Sequence, residues 1–142
     1  MGNRAVITTQ ENFNNNGVGI YLHWNGGIDS VIPFLDYLAI KRYRKPYADD
    51  YGWAMLTNII TNFFGDGLSC GVDTVDRLDC DNRDNGVYII GPRGIERRIY
   101  AGSSPVMTYK TTREDLEYID AAQPERMKLT PDEWKSWELG IA

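Results

Sequence analysis

The chain has 142 residues, 42% apolar and 25% charged, and its 20 acidic and 15 basic side chains leave a net charge of −5. That length supports one domain, residues 1–142, with a real core, and the acidic balance argues against duplex nucleic acid as a partner. No apolar run approaches membrane-spanning length and no secretory signal is legible, so a cytoplasmic protein with Cys70 and Cys80 as free thiols is expected.

In chain order, residues 4–9 and 18–24 read as two strands joined by the polar loop Gln10 to Asn16. Asn14-Asn15-Asn16-Gly17 is turn chemistry and predicts a β-hairpin. Ile20, Leu22 and Trp24 alternate with Tyr21 and His23, the period of a strand with two different faces. Asn25-Gly26-Gly27 then supplies a turn that tolerates positive φ and lets another group approach the backbone closely. A first helix is expected from about Ser30 to Tyr43, capped by Asp29 and carrying Pro33 in its first turn. Val31, Phe34, Leu35 and Leu38 form its core stripe, with Tyr37, Ile40 and Arg44 on a different face. Pro46 ends it, and Asp49 or Asp50 caps a second helix that runs to Phe64, with Gly65 in the left-handed C-terminal position. This second helix reads as apolar nearly all round, from Trp53, Ala54 and Met55 to Phe63 and Phe64. Burial on both sides is therefore expected, with the second covering layer supplied by another subunit.

Leu68 to Val75 reads as a strand, followed by an acidic loop through Asn85. Val87 to Ile90 and Ile95 to Tyr100 form a second hairpin around Gly91-Pro92-Arg93-Gly94. Thr111 with Glu114 reads as a capping box opening a helix to about Ala122, and Thr130 to Glu133 repeats the pattern for a short C-terminal helix with Trp134 and Trp137. The expected architecture is α+β: a small antiparallel sheet of about five strands packed with about four helices, forming oligomers.

The chemistry is sparse. The acidic loop from Asp73 to Gly86 fails a calcium register, because Arg83, Asp84 and Ile90 fall on the fifth, sixth and twelfth positions counted from Asp79. The alternative is a self-bonded turn presenting Asp84 and Asn85, its carboxylates available to Arg77 or Arg97. His23 is the lone histidine, the two cysteines lack both a CxxC spacing and a local base, and no phosphate-binding loop is present, so the chain does not read as an enzyme. No metal or cofactor is expected. What remains are basic groups among aromatics. Lys41 and Lys45 complement a helix C-terminus, which leaves Arg44 as a ligand candidate. Arg97 and Arg98 are neighbours in a strand and point to opposite faces. Arginine forks suit phosphate, and Trp24, Phe63, Tyr88 and Tyr100 offer stacking faces, so a small anionic nucleotide is chemically plausible. The same residues equally suit a well-made α+β core.

The phrases Val18-Gly-Ile-Tyr-Leu-His-Trp24-Asn-Gly-Gly27, Tyr51-Gly-Trp-Ala54, Asn62-Phe-Phe-Gly65, Leu78-Asp-Cys-Asp-Asn82 and Asp84-Asn-Gly-Val-Tyr88 together resemble small proteins of phages and gut bacteria, specifically the phage anti-Thoeris sponge family. The resemblance covers roughly residues 4–100. It implies sequestration, without catalysis, of cyclic ADP-ribose isomers made by bacterial TIR-domain immune proteins, in the cytoplasm of the host bacterium. It further implies homodimers that assemble into homohexamers, and separate pockets for cyclic oligonucleotides. By resemblance, Trp24 and Asn25 would line the ring-binding wall, Arg97 or Arg98 would meet pyrophosphate, and Asn85 would bond a ribose or base edge. Two readings compete with it: a protein that docks on a protein partner through Trp134 and Trp137, and a structural domain without a small ligand.

Overall fold

A computed structural model of the chain describes residues 2–66, 69–102 and 105–140. Ten regular elements follow one another as β1 (Ala5–Thr8), α1 (Gln10–Asn15), β2 (Val18–Leu22), α2 (Ile28–Ile40), α3 (Asp50–Phe64), β3 (Cys70–Thr74), β4 (Val87–Gly91), β5 (Gly94–Ile99), α4 (Arg113–Ala121) and α5 (Pro131–Glu138). The five strands form one sheet in the order β3-β2-β1-β4-β5, so the class is α+β. The expected start of β3 at Leu68 lies outside the described residues.

The sheet is mixed rather than antiparallel. β1 pairs antiparallel with β2, Ala5 opposite Leu22, but parallel with β4, Val6 opposite Val87. The cause lies in the acidic loop. The backbone N–H of Asn85 donates to the carbonyl of Arg4, Val6 N–H donates to Gly86 O, and the Arg4 side chain grips Asp84. The loop is thus held at the N-terminal end of β1, and β4 must enter alongside it in the same direction. Arg4, not Arg77 or Arg97, is therefore the cation that the loop carboxylates receive; it also bonds Asp79 at 3.2 Å. Asn82, 1% exposed, pins the loop from inside: its amide donates to Asp79 O and Gly86 O, and its Oδ1 accepts from the N–H groups of Asp84 and Gly86.

Because β1 and β4 are central, their residues are buried on both faces. Ala5, Ile7, Ile20, Leu22, Tyr88 and Ile90 face the helices, while Val6, Val87 and Ile89 face a thinner cover that includes Phe13 and Leu78. The residues expected as the 10–16 loop contain α1, with the Thr9 hydroxyl accepting from Asn12 N–H and Asn16 closing it in the left-handed region at φ 56°. Local Asn and Thr caps hold a helix that propensity alone would not.

Within one chain the helix buried on several sides is α2, and α3 keeps one side uncovered. Val31 and Phe34 pack toward the body of the core, and Tyr37 and Ile40, expected on a separate face, are also buried because α4 and α5 cover them. The helix begins at Ile28 with Gly27 as its N-cap. Asp29 therefore lies within the first turn instead of capping it, and Pro33 falls in the second turn. α3 buries only Gly52, Leu56, Ile59 and Ile60, leaves Ala54 exposed, and turns Thr57 and Thr61 outward. The expected caps of α3 are present: Asp49 accepts from Gly52 N–H at 3.1 Å, and Gly65 ends it at φ 84° and ψ −74°, a positive φ outside the left-handed helical basin. α4 opens on a capping box one residue later than expected, Thr112 with Asp115, because the Thr111 hydroxyl is taken by Asp36. α5 uses the expected box, Thr130 with Glu133.

Candidate functional site

One end of the sheet collects most of the sequence-predicted ligand residues. The turn after β2 meets the chain before β1 there: Asn3 N–H donates to His23 O, and Gly26 N–H donates to Asn3 O at 2.8 Å. Asn25 takes the left-handed conformation at φ 57°. Gly26 supplies the close approach, since a Cβ on it would lie 2.4 Å from Asn3 O and 2.7 Å from Ala5 Cβ. The group that approaches this glycine is the protein's own N-terminal strand, so the slot is filled from within.

Arg98 and Tyr88 lie opposite each other on β5 and β4 and share the helix-facing side of the sheet. Tyr88 is fully buried and donates its hydroxyl to Gly26 O at 2.7 Å. Burial pushes its phenol up to about 12 against the opposing pull of the Arg98 charge, so it remains a donor. The Arg98 guanidinium lies 4.1 Å from the Tyr88 ring centroid. It donates to Asn85 O at 2.8 Å and to Val106 O at 2.6 Å, while its Nε is buried without a partner among the described residues. Two neutral carbonyls and a ring face hold this cation, and no described carboxylate pairs with it. The Asn85 side chain donates to Asn3 Oδ1 and Arg4 O, which fixes its position beside Arg98. Trp24 is 47% exposed and meets the His23 ring edge-on at 5.2 Å between centroids.

A cavity of about 430 Å³ opens beside this cluster, between the first turns of α2 and α4 and the last turn of α3. Asn25 and Phe63 line it, as do Phe34, Phe64 and Tyr118, whose rings pack as a chain through Phe63 at 5.2 to 5.5 Å. The remaining wall is acidic: Asp29, Glu114 and Asp115. Tyr118 and Glu114 lie beyond the reach of the resemblance. Their signal was the four-residue spacing beside the buried stripe of Leu116 and Ile119.

Arg44 and Arg97 do not join the group. Arg44, beyond the far end of a 13-residue helix about 20 Å long, pairs with Asp49 at 3.1 Å and stacks on Tyr51. Arg97 projects from the opposite sheet face and donates to Gln10 on α1. Burial pushes the Cys70 thiol up to about 11 and raises that of Cys80, which keeps both protonated at neutral pH and poor as nucleophiles. His23 Nδ1 lies 3.0 Å from the Tyr21 hydroxyl. Trp134 and Trp137 are half-buried against the main core. Lys41 holds α5 in place through Glu133 and the Lys128 carbonyl, both at 2.8 Å. No helix among the described residues is long and apolar enough to cross a membrane. No protein-family model, curated protein or solved structure matches the chain.

Proposed function

We propose that the chain captures a ring-bearing cyclic nucleotide signal and holds it without changing it chemically, in the cytoplasm of a host bacterium. Cyclic ADP-ribose isomers are the ligand class that the resemblance implies, with cyclic oligonucleotides as a second. The observation that carries this reading is Arg98: a half-buried guanidinium over an aromatic face, with no carboxylate partner among the described residues, at the sheet end that also presents Trp24, Asn25 and Asn85. An incoming phosphate would replace the Val106 carbonyl on Arg98, turning a neutral hydrogen bond into a charge-assisted one.

Trp24, half exposed at the rim, is placed to stack on a base, and Asn25 and Asn85 flank the same edge. Capture at nanomolar level requires about −12 kcal/mol, more than an open rim supplies, so a second copy closes the site. The uncovered face for that contact runs from Trp53 and Ala54 on α3 to Val72, 51% exposed on edge strand β3; it lies on the sheet edge opposite Arg98, so the contact is head-to-tail, one copy's face over the next copy's Arg98 end. The test is native mass spectrometry of the protein with cyclic ADP-ribose isomers and cyclic oligonucleotides. An oligomer that retains the intact ligand mass, and loses it in Trp24→Ala and Arg98→Gln, supports the proposal. A ligand-free monomer, or a ligand recovered in cleaved form, overturns it.

A further inference from the structure

The aromatic cavity carries the wrong charge for phosphate. Of its ionisable lining groups, three are carboxylates and none is a lysine or arginine. None of Asp29, Glu114 and Asp115 forms an ion pair within the described residues. Asp115 is partly engaged, accepting from the Tyr109 hydroxyl and from Thr112 N–H. All three stand in first turns of helices, where a carboxylate offsets the macrodipole. Two helix N-termini supply only about half a positive charge each against the three negative ones. Roughly two negative charges are left facing the cavity.

The opposite wall is a run of rings. Phe63 is half-buried and Tyr118 is 72% exposed. Aromatic faces beside carboxylates attract ammonium groups, and the same faces accept alkyl chain. The described acidic groups are too dispersed for a metal ion, since no three of them, with His or Cys, form a set able to hold one. Dispersed carboxylates along an aromatic trough instead match a cation whose charges are spread along a chain. The cavity volume of about 430 Å³ lies within the range of small-ligand sites.

We propose that this cavity is a binding site, separate from the Arg98 cluster, for a polyamine, with ammonium groups on Asp29 and Glu114 and methylenes across Phe63 and Tyr118. The site sets a requirement on the ligand: at least two positive charges joined by an apolar spacer.

Spermidine is the probe, titrated into the full chain by calorimetry at about 150 mM salt, where diffuse surface attraction is screened. One site per chain is expected. Glu114→Gln and Tyr118→Ala each weaken binding about three- to fivefold and the double variant at least about tenfold, the sizes expected for one exposed charge and one cation–π contact. Both side chains are exposed, so the variants fold, which unchanged urea midpoints verify. Displacement of spermidine by magnesium at matched ionic strength overturns the proposal, as does a double variant that binds within about twofold of the wild type. The spermidine signal does not depend on nucleotide capture, so failure of one proposal leaves the other standing.

Discussion

Removing one oxygen from the centre of the molecule should loosen the wall of the aromatic cavity. Tyr37, with no exposed surface, lies midway along α2 and sends its hydroxyl toward Asp120 Oδ1 on α4 at 2.7 Å and toward Met127 O at 2.8 Å. The same carboxylate oxygen accepts from Leu129 N–H at 2.7 Å, so one α2 side chain organises the helix and the segment that follows it. Burial, reinforced by the hydrogen bond to Asp120, holds the phenol far above its usual range, so it donates at every pH at which the fold is stable. Tyr37→Phe keeps the ring and its packing and removes only the donor. Loss of a hydrogen bond to a charged acceptor costs about 1.5–3 kcal/mol, and Asp120 retains its bond from Leu129, so a loss of about 2 kcal/mol is expected. At 2–4 °C per kcal/mol for a chain of this size, the midpoint should fall by about 4–8 °C. Urea unfolding followed by tryptophan fluorescence gives the value, with an unchanged m confirming that the difference is in stability. A cycle with Asp120→Asn should show coupling of about 1 kcal/mol or more. A Tyr37→Phe loss under about 0.5 kcal/mol, or strict additivity in the cycle, refutes the assignment.

Two further outcomes follow from the acidic loop. Asn82→Ala leaves the buried Gly86 N–H and the partly buried Asp84 N–H and Asp79 C=O without their side-chain partner, while Gly86 O keeps its bond from Val6 N–H, and should cost about 2–3 kcal/mol in urea unfolding; a loss below about 1 kcal/mol would mean that the loop holds its shape without it. Arg4, through its side chain and then its backbone N–H, holds the Asp84 carboxyl below its usual range. The stability this contributes is present above the unfolded carboxylate value of about 4 and is lost as pH falls through the lower folded value. The wild type should therefore lose stability faster than Asp84→Asn as the pH drops from about 5 to about 2; parallel stability curves would contradict this.

What was legible in the sequence was local. Asp49 and Gly65 bracket α3, Thr130 and Glu133 open α5, and the β4–β5 turn at Pro92-Arg93 follows from its flanking glycines. The alternation that sent Arg97 and Arg98 to opposite faces was also correct, but which of them faced the helices depended on the pairing of Arg98 with Tyr88. Thr111-Thr112 offers two overlapping capping frames, and Asp36, 75 positions away, decides between them by occupying the first. The parallel β1–β4 pairing has no local signature, since it arises from Arg4 and Asp84 at a separation of 80 residues. For the site, Trp24, Asn25, Asn85, Tyr88 and Arg98 converge because the turn after β2 and the entry to β4 share one end of the sheet. Arg44 and Arg97 have the charge and fork that suit phosphate, but neither property reports position. The acidity of the cavity is not legible in the sequence, because Asp29, Glu114 and Asp115 each have an ordinary local role at a helix start.

The parallel pairing also sets an order of events on the ribosome. β1 can zip to β2 once Leu22 has emerged, but its other edge finds no partner until Val87 arrives about 65 residues later. At about 5–20 residues per second that interval is on the order of 3–13 seconds. Through it, the strand Ala-Val-Ile-Thr presents one row of unpaired N–H and C=O groups between two apolar faces. Such an edge invites any other extended chain. Arg4, at the head of that strand, is a charge available to discourage a wrong partner before Asp84 claims it. The nascent chain is thus vulnerable to aggregation between synthesis of β2 and synthesis of β4, and co-translational protection of that window should raise soluble yield.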